Sequence, residues 1–132
     1  MNQNEELLRK MDEAQAKQDV EGMMAAFADD VVVHIGGRSH MAGDLKGKGE
    51  LMESYGRFVQ VMGDNAEFET HDLVAGDKHG FMLQSFKGNR NGDQIEIKGI
   101  GIFHFTNGKI SEAWFIDEDP YSADPWYDRG AK

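Results

Sequence analysis

Gln94-Ile95-Glu96-Ile97-Lys98-Gly99-Ile100-Gly101-Ile102-Phe103-His104-Phe105-Thr106-Asn107-Gly108-Lys109-Ile110-Ser111-Glu112-Ala113-Trp114-Phe115-Ile116-Asp117 is the stretch that decides the fold. Two β-branched and aromatic runs flank Asn107-Gly108, the strongest short-range hairpin signal in a sequence. Residues 94–105 and 109–117 therefore read as paired strands. Upstream, residues 66–75 and 79–88 have the same character. Ala75-Gly76-Asp77-Lys78 separates them, and Asn89-Arg90-Asn91-Gly92 leads on to the long hairpin. The C-terminal half is an antiparallel meander.

The N-terminal half reads differently. Leu7, Leu8, Met11 and Ala14 recur at helical spacing, which predicts a helix over 4–17 with Asn4 as its cap. Asp19 is suited to cap a second helix carrying Val20, Met23, Met24 and Phe27. Asp29-Asp30 ends it, and Val31 to Ile35 forms a short strand. Residues 36–47 are glycine-rich and aperiodic, and read as a loop. Leu51, Tyr55, Phe58 and Met62 stripe a third helix over about 48–62, with Gly63 as its C-cap. Helices followed by a meander imply an α+β fold with helices on one sheet face. The length of 132 residues suits one domain spanning 1–132.

Composition excludes several functions. Fourteen basic residues stand against 24 acidic ones, for a net charge of −10. Such a chain repels polyanions and anionic membranes, so neither nucleic acid nor membrane is expected as a partner. The chain has no cysteine, so thiolate metal sites and thiol nucleophiles are impossible. No signal-peptide pattern and no long apolar run occur, and a cytoplasmic location is expected. His71 and His79 flank one turn but lack a third ligand at motif spacing, so no metal site is expected. Gly43 and Gly47 do not meet phosphate-loop spacing, and no cofactor is implied.

The order of elements resembles the nuclear transport factor two-like superfamily, and within it the SnoaL-like, ketosteroid-isomerase-like proteins. Four segments carry the resemblance: Asp19 to Val32, Gly37-Arg38-Ser39, Ala42 to Gly47, and Phe103-His104-Phe105-Thr106-Asn107-Gly108-Lys109-Ile110-Ser111-Glu112-Ala113-Trp114. The resemblance implies a curved antiparallel or mixed sheet wrapped around the N-terminal helices, leaving a conical pocket. It also implies a homodimer paired through the outer sheet face. Activities in the family range from isomerases, cyclases and dehydratases to non-catalytic binding domains, because one fold hosts many chemistries.

Steroid isomerase chemistry needs a carboxylate base and an oxyanion hole made from a tyrosine and a protonated aspartate. The corresponding positions fall on Ile35, Met11 and Gly101, which supply none of these groups. SnoaL-like polyketide cyclases fit better. Their late acidic residue on the last strand corresponds to Asp117, and their polar neighbour on the preceding strand to His104.

Facing depends on the hairpin loop. A three-residue loop pairs Phe105 with Lys109 and puts Gly99, Gly101, Phe103, Ala113, Phe115 and Asp117 on one face, with His104 and Trp114 on the other. A two-residue loop puts His104 and Asp117 together. The candidate catalytic residues are Asp117, His34 at the end of the first strand, and His104. Tyr55, Phe58, Phe103, Phe115 and Trp114 are the candidate ligand contacts. The expected ligand is a small apolar molecule undergoing proton transfer without a cofactor. The competing reading is a non-catalytic binding or dimerisation module. The aromatic tail Asp119 to Tyr127 is expected to fold over the pocket mouth or a partner subunit.

Overall fold

Asn2, not Asn4, caps the first helix: its side chain accepts from the backbone N–H of Asn4 at 2.8 Å and of Glu5 at 3.4 Å. Asn4 instead ties the helix to the turn at Gly76 and Asp77. In the computed structural model, which describes residues 2–63 and 65–130, α1 spans Gln3–Ala16 and buries Leu8, Met11 and Ala14. Asp19 caps α2 (Val20–Met24) through Gly22 N–H at 3.0 Å. That helix stops earlier than its apolar spacing predicts, and Phe27 opens strand β1 (Phe27–Ile35). The pairing of β1 shifts between Phe27 and Val32, which absorbs the Asp29-Asp30 step.

The glycine-rich segment contains a strand that was not expected. β2 (Gly43–Lys46) pairs antiparallel with the end of β1. Helix α3 (Gly47–Met62) follows, and Gly63 ends it at φ +82°. The meander then runs β3 (Glu67–Ala75), β4 (His79–Arg90), β5 (Asp93–Thr106) and β6 (Lys109–Asp117). Asn91-Gly92 and Asn107-Gly108 both have positive φ at both positions, as two-residue turns of this hand require.

The six strands form one curved sheet in the order β2-β1-β6-β5-β4-β3. All neighbours are antiparallel except β1 and β6, which run parallel. Helices α1, α2 and α3 cover its inner face. The core there contains Leu8, Met11, Phe27, Val31, Val33, Met82, Phe103 and Ile110. No helix among the described residues is long and apolar enough to cross a membrane.

The aromatic tail forms a fourth helix, α4 (Pro120–Gly130), which its sequence did not predict. Pro120 suits the first helical position. Asp119 accepts from Ser122 N–H at 3.3 Å and Ser122 Oγ at 2.7 Å. Pro125 inside the helix removes one backbone bond. Burial of Ala123, Trp126 and Tyr127 in a second core with Met41, Val61, Met62 and Ile97 offsets that cost.

Candidate functional site

Both expected loop alternatives are partly realised. The hairpin loop has two residues, with Thr106 opposite Lys109 and Phe105 opposite Ile110. Ser111 is then passed over as a bulge, so His104 faces Glu112. The bulge flips the rest of β6 by one residue. Phe103 therefore pairs with Ala113, Gly101 with Phe115 and Gly99 with Asp117. The face grouping is that of the three-residue loop, while each pairing beyond the bulge lies two residues from the one it predicts.

The inner grouping lines a cavity of about 150 Å³ between the sheet and the helices. Met11, Met23, Met24 and Met41 line it with Phe27, Phe58, Phe86 and Phe115. Its polar groups are few: Gln15, Ser54, Tyr55, Gln84, Asp117 and Tyr127. A mostly apolar wall with a few placed polar groups is the ordinary composition of a small-molecule site.

Asp117 closes the end of β6 against α4. Tyr127 Oη donates to Asp117 Oδ2 at 3.2 Å. Burial pushes the Asp117 carboxyl up to about 6, and the nearby Asp124 charge adds to this, while the Tyr127 hydrogen bond opposes it. Burial and then the Asp117 charge hold the Tyr127 phenol well above its usual value, so it stays a hydrogen-bond donor. Tyr55, on α3, is likewise raised by burial. Asp124 Oδ2 accepts from Arg38 N–H at 2.9 Å, and Asp128 Oδ1 accepts from His40 N–H at 2.8 Å. These bonds fasten the 36–42 segment to α4 and bring Met41 and Tyr127 onto the same cavity wall.

The structure separates the three candidate catalytic residues. Asp117 is on the inner face. His34 and His104 are on the outer face, because His34 sits opposite Trp114 in the β1–β6 ladder and His104 opposite Glu112 in the β5–β6 ladder. His34 stacks on Trp114 at 5.1 Å, and His104 meets the same ring edge-on at 4.7 Å. Neither histidine is available to Asp117, a correction to the expected pairing. His34 instead has Glu112 Oε2 on Nε2 and Asp44 Oδ1 on Nδ1, each at 2.7 Å. Two carboxylate acceptors demand two ring protons, and these hydrogen bonds, Glu112 first, raise the pKa of His34.

Of the candidate ligand contacts, Tyr55, Phe58 and Phe115 line the cavity. Phe103 does not: it is fully buried beneath, edge-on to Phe115 at 5.7 Å. Trp114 faces outward, one residue out of phase with Phe115 and Asp117. His71 and His79 go to different partners, Ser85 Oγ and the His104 ring. Gln15, Ser54 and Gln84 also line the cavity and were not among the residues expected there, while Tyr127 reaches it from the aromatic tail, one of the two places expected for that tail. Gln84 alternates in phase with Met82 on β4, so the strand period carried a signal for its facing.

No curated protein matches the sequence. Among solved structures, Bal32a from a soil-derived mobile gene cassette superposes with a TM-score of 0.87 at 23% identity, covering 95% of this chain and 96% of that one. TerC, co-crystallised with polyporic acid, gives 0.81 at 12% identity, covering 95% and 98%. A putative SnoaL-like polyketide cyclase from Jannaschia sp. CCS1 gives 0.75 at 10% identity, covering 92% and 89%. At these identities the likeness is one of fold. The SnoaL-like domain model matches residues 8–113, most of the chain. With the helix-filled curved sheet described above, that match makes this chain a member of the SnoaL-like domain family.

Proposed function

We propose that the cone binds a small, largely apolar carbonyl or cyclic compound and that Asp117 moves a proton on it. One observation carries this reading: a carboxyl whose pKa is about 6 stands at the wall of an apolar cavity. Such a group exists in both protonation states near neutral pH, as an acid–base catalyst requires. Its carboxylate can take a proton from the carbon beside a carbonyl and return it to another carbon. The proton count is unchanged, and no cofactor is needed. Tyr127 orients the carboxyl from α4. That TerC was crystallised with polyporic acid supports a cyclic oxygenated ligand for this fold. The absence of cysteine suits a cytoplasmic setting.

A thermal-shift screen of cyclic ketones, lactones, terpenoids and aromatic polyketide fragments tests the reading. A ligand of the folded state raises the melting temperature by mass action. The expected result is a hit whose shift shrinks in Asp117→Ala, followed by turnover that this variant lacks. A hit indifferent to the substitution would leave a binding module. No hit from any class would sink the pocket reading.

A second reading, self-association, is favoured by the outer sheet face. Val74, Phe81, Leu83 and Ile116 are exposed there, at 54%, 40%, 47% and 45%. Ile100, Ile102 and Trp114 join them across paired strands, giving a contiguous apolar patch that a monomer rarely leaves bare. A second copy of the chain is the occupant we propose. Sedimentation equilibrium should give twice the chain mass for the native protein and the monomer mass for Phe81→Glu. A native monomer at tens of micromolar would remove this reading.

A further inference from the structure

We propose that the cavity recognises a ligand with oxygen at both ends, one held by Asp117 and the other by the amide of Gln84. This inference rests on the pocket reading above and narrows its ligand class.

The register supplies the argument. Gln84 on β4 pairs with Gly99 on β5, and Gly99 pairs with Asp117 on β6. Paired residues share a sheet face, so the three form one row on the inner face of the sheet, and its two ends, Gln84 and Asp117, line the cavity. Adjacent strands lie about 4.8 Å apart, which sets the two polar residues roughly 10 Å apart at the backbone. The residue between them has no side chain. A Cβ at Gly99 would lie 2.8 Å from the Ile116 carbonyl and 3.4 Å from Asp117 Oδ1. No side chain therefore stands in the row between the amide and the carboxyl.

Gln84 is 6% exposed, a poor position for a primary amide unless it is satisfied. Its Nε2 donates to Gln15 Oε1 at a long 3.3 Å, its one side-chain bond among the described residues. A glutamine amide offers two donors and two acceptor positions. Most of that capacity remains, on a side chain that lines the cavity. Gln15 lines it beside Gln84 from α1, so the two amides form one polar end and Asp117 with Tyr127 the other. The walls between them are mostly methionine and phenylalanine, with Ser54 and Tyr55 as the remaining polar groups. A cavity near 150 Å³ is about the size that accepts a benzene ring in a well-studied engineered protein. The ligand class is thus a single flat ring with oxygen substituents on opposite ends.

Three probes that differ only at the ends provide the test: p-xylene, p-cresol and 4-hydroxybenzyl alcohol, titrated by calorimetry into the full chain. The variants are Gln84→Met, which keeps volume and removes hydrogen bonding, Gln15→Met from the other element, and Asp117→Asn. Far-ultraviolet circular dichroism and melting curves establish that each variant is folded. The native protein should bind 4-hydroxybenzyl alcohol tightest. Gln84→Met or Gln15→Met should weaken that probe about tenfold, the scale of one buried hydrogen bond, and leave p-cresol unchanged. If p-cresol binds and 4-hydroxybenzyl alcohol is no tighter, or is indifferent to both glutamine variants, the two-ended site is overturned and the Asp117 pocket stands. If none of the three binds while the wider screen gives an Asp117-dependent hit, the two-ended site is overturned and the pocket stands; if neither gives a hit, both are overturned.

Discussion

Replacing Trp126 with alanine is expected to cost about 3–5 kcal/mol of unfolding free energy, the range for deleting a fully buried aromatic side chain. Trp126 is 0% exposed at the centre of the second core. Its Nε1–H donates to the Val61 carbonyl at 3.1 Å, joining α4 to the end of α3. Arg90 reaches over the ring with Cζ 3.8 Å from its centre and donates to the Val61 and Trp126 carbonyls at 3.0 and 2.8 Å. Alanine removes the ring volume and the Val61 bond, and leaves a sheltered guanidinium without its aromatic face. Urea unfolding with linear extrapolation measures the change. Tyr121→Ala, on the same helix but 91% exposed, is the control and should move stability by less than about 0.5 kcal/mol. A Trp126→Ala loss under about 1 kcal/mol would show that α4 does not hold the second core together. The loss matters to the site because Tyr127, the next residue, bonds Asp117.

The fold was legible from strand period and turn chemistry. The two Asn-Gly turns define the meander, and the helical stripes identify α1 and α3 to within a residue or two. What was not legible depended on single residues whose effect is tertiary. Ser111 becomes a bulge through bonds of its hydroxyl with the His104 carbonyl and Thr106 Oγ1, at 3.3 and 3.0 Å. No local propensity marks it, yet it decides which face carries Asp117. His34 stands next to Ile35, which does line the cavity, and one step along a strand is the difference between the two faces. β2 is a four-residue edge strand, too short to show alternation. α4 contains a proline, which argues against a helix, although Ala123, Trp126 and Tyr127 keep helical spacing. Asp117 was legible as a candidate because an acid at the end of an apolar strand stands out. Gln84 was not, because the strand period gives a lone glutamine a face but no role until the row through Gly99 is known.

The Asp117→Asn variant is expected to be more stable than the native protein above pH 7, and equal to it near pH 4. The carboxyl has a pKa of about 6 in the fold, against 3.8 for the unperturbed group. Between those values the folded chain holds a proton that the unfolded chain has released. Native stability therefore falls as pH rises through this window, and the penalty is complete above about pH 6. At 1.36 kcal/mol per unit the full displacement is about 3 kcal/mol, and partial solvation of the half-buried group brings it to about 2 kcal/mol. Asparagine is neutral throughout and still offers an oxygen to Tyr127, so the difference between variant and native should open between pH 4 and 6 and then level off. Other titrating groups act on both proteins and cancel in the difference. Urea midpoints at single pH steps from 4 to 8 read it directly. A difference that does not vary with pH, or a native protein more stable than the variant at pH 8, would mean that Asp117 titrates like a surface carboxylate. Stability given up at a residue that lines a cavity is what the proposed acid–base role would cost the fold. The same titration would govern ligands: one whose oxygen accepts from protonated Asp117 must weaken as pH passes 6. A substrate that yields a proton to the carboxylate must instead react faster over the same interval.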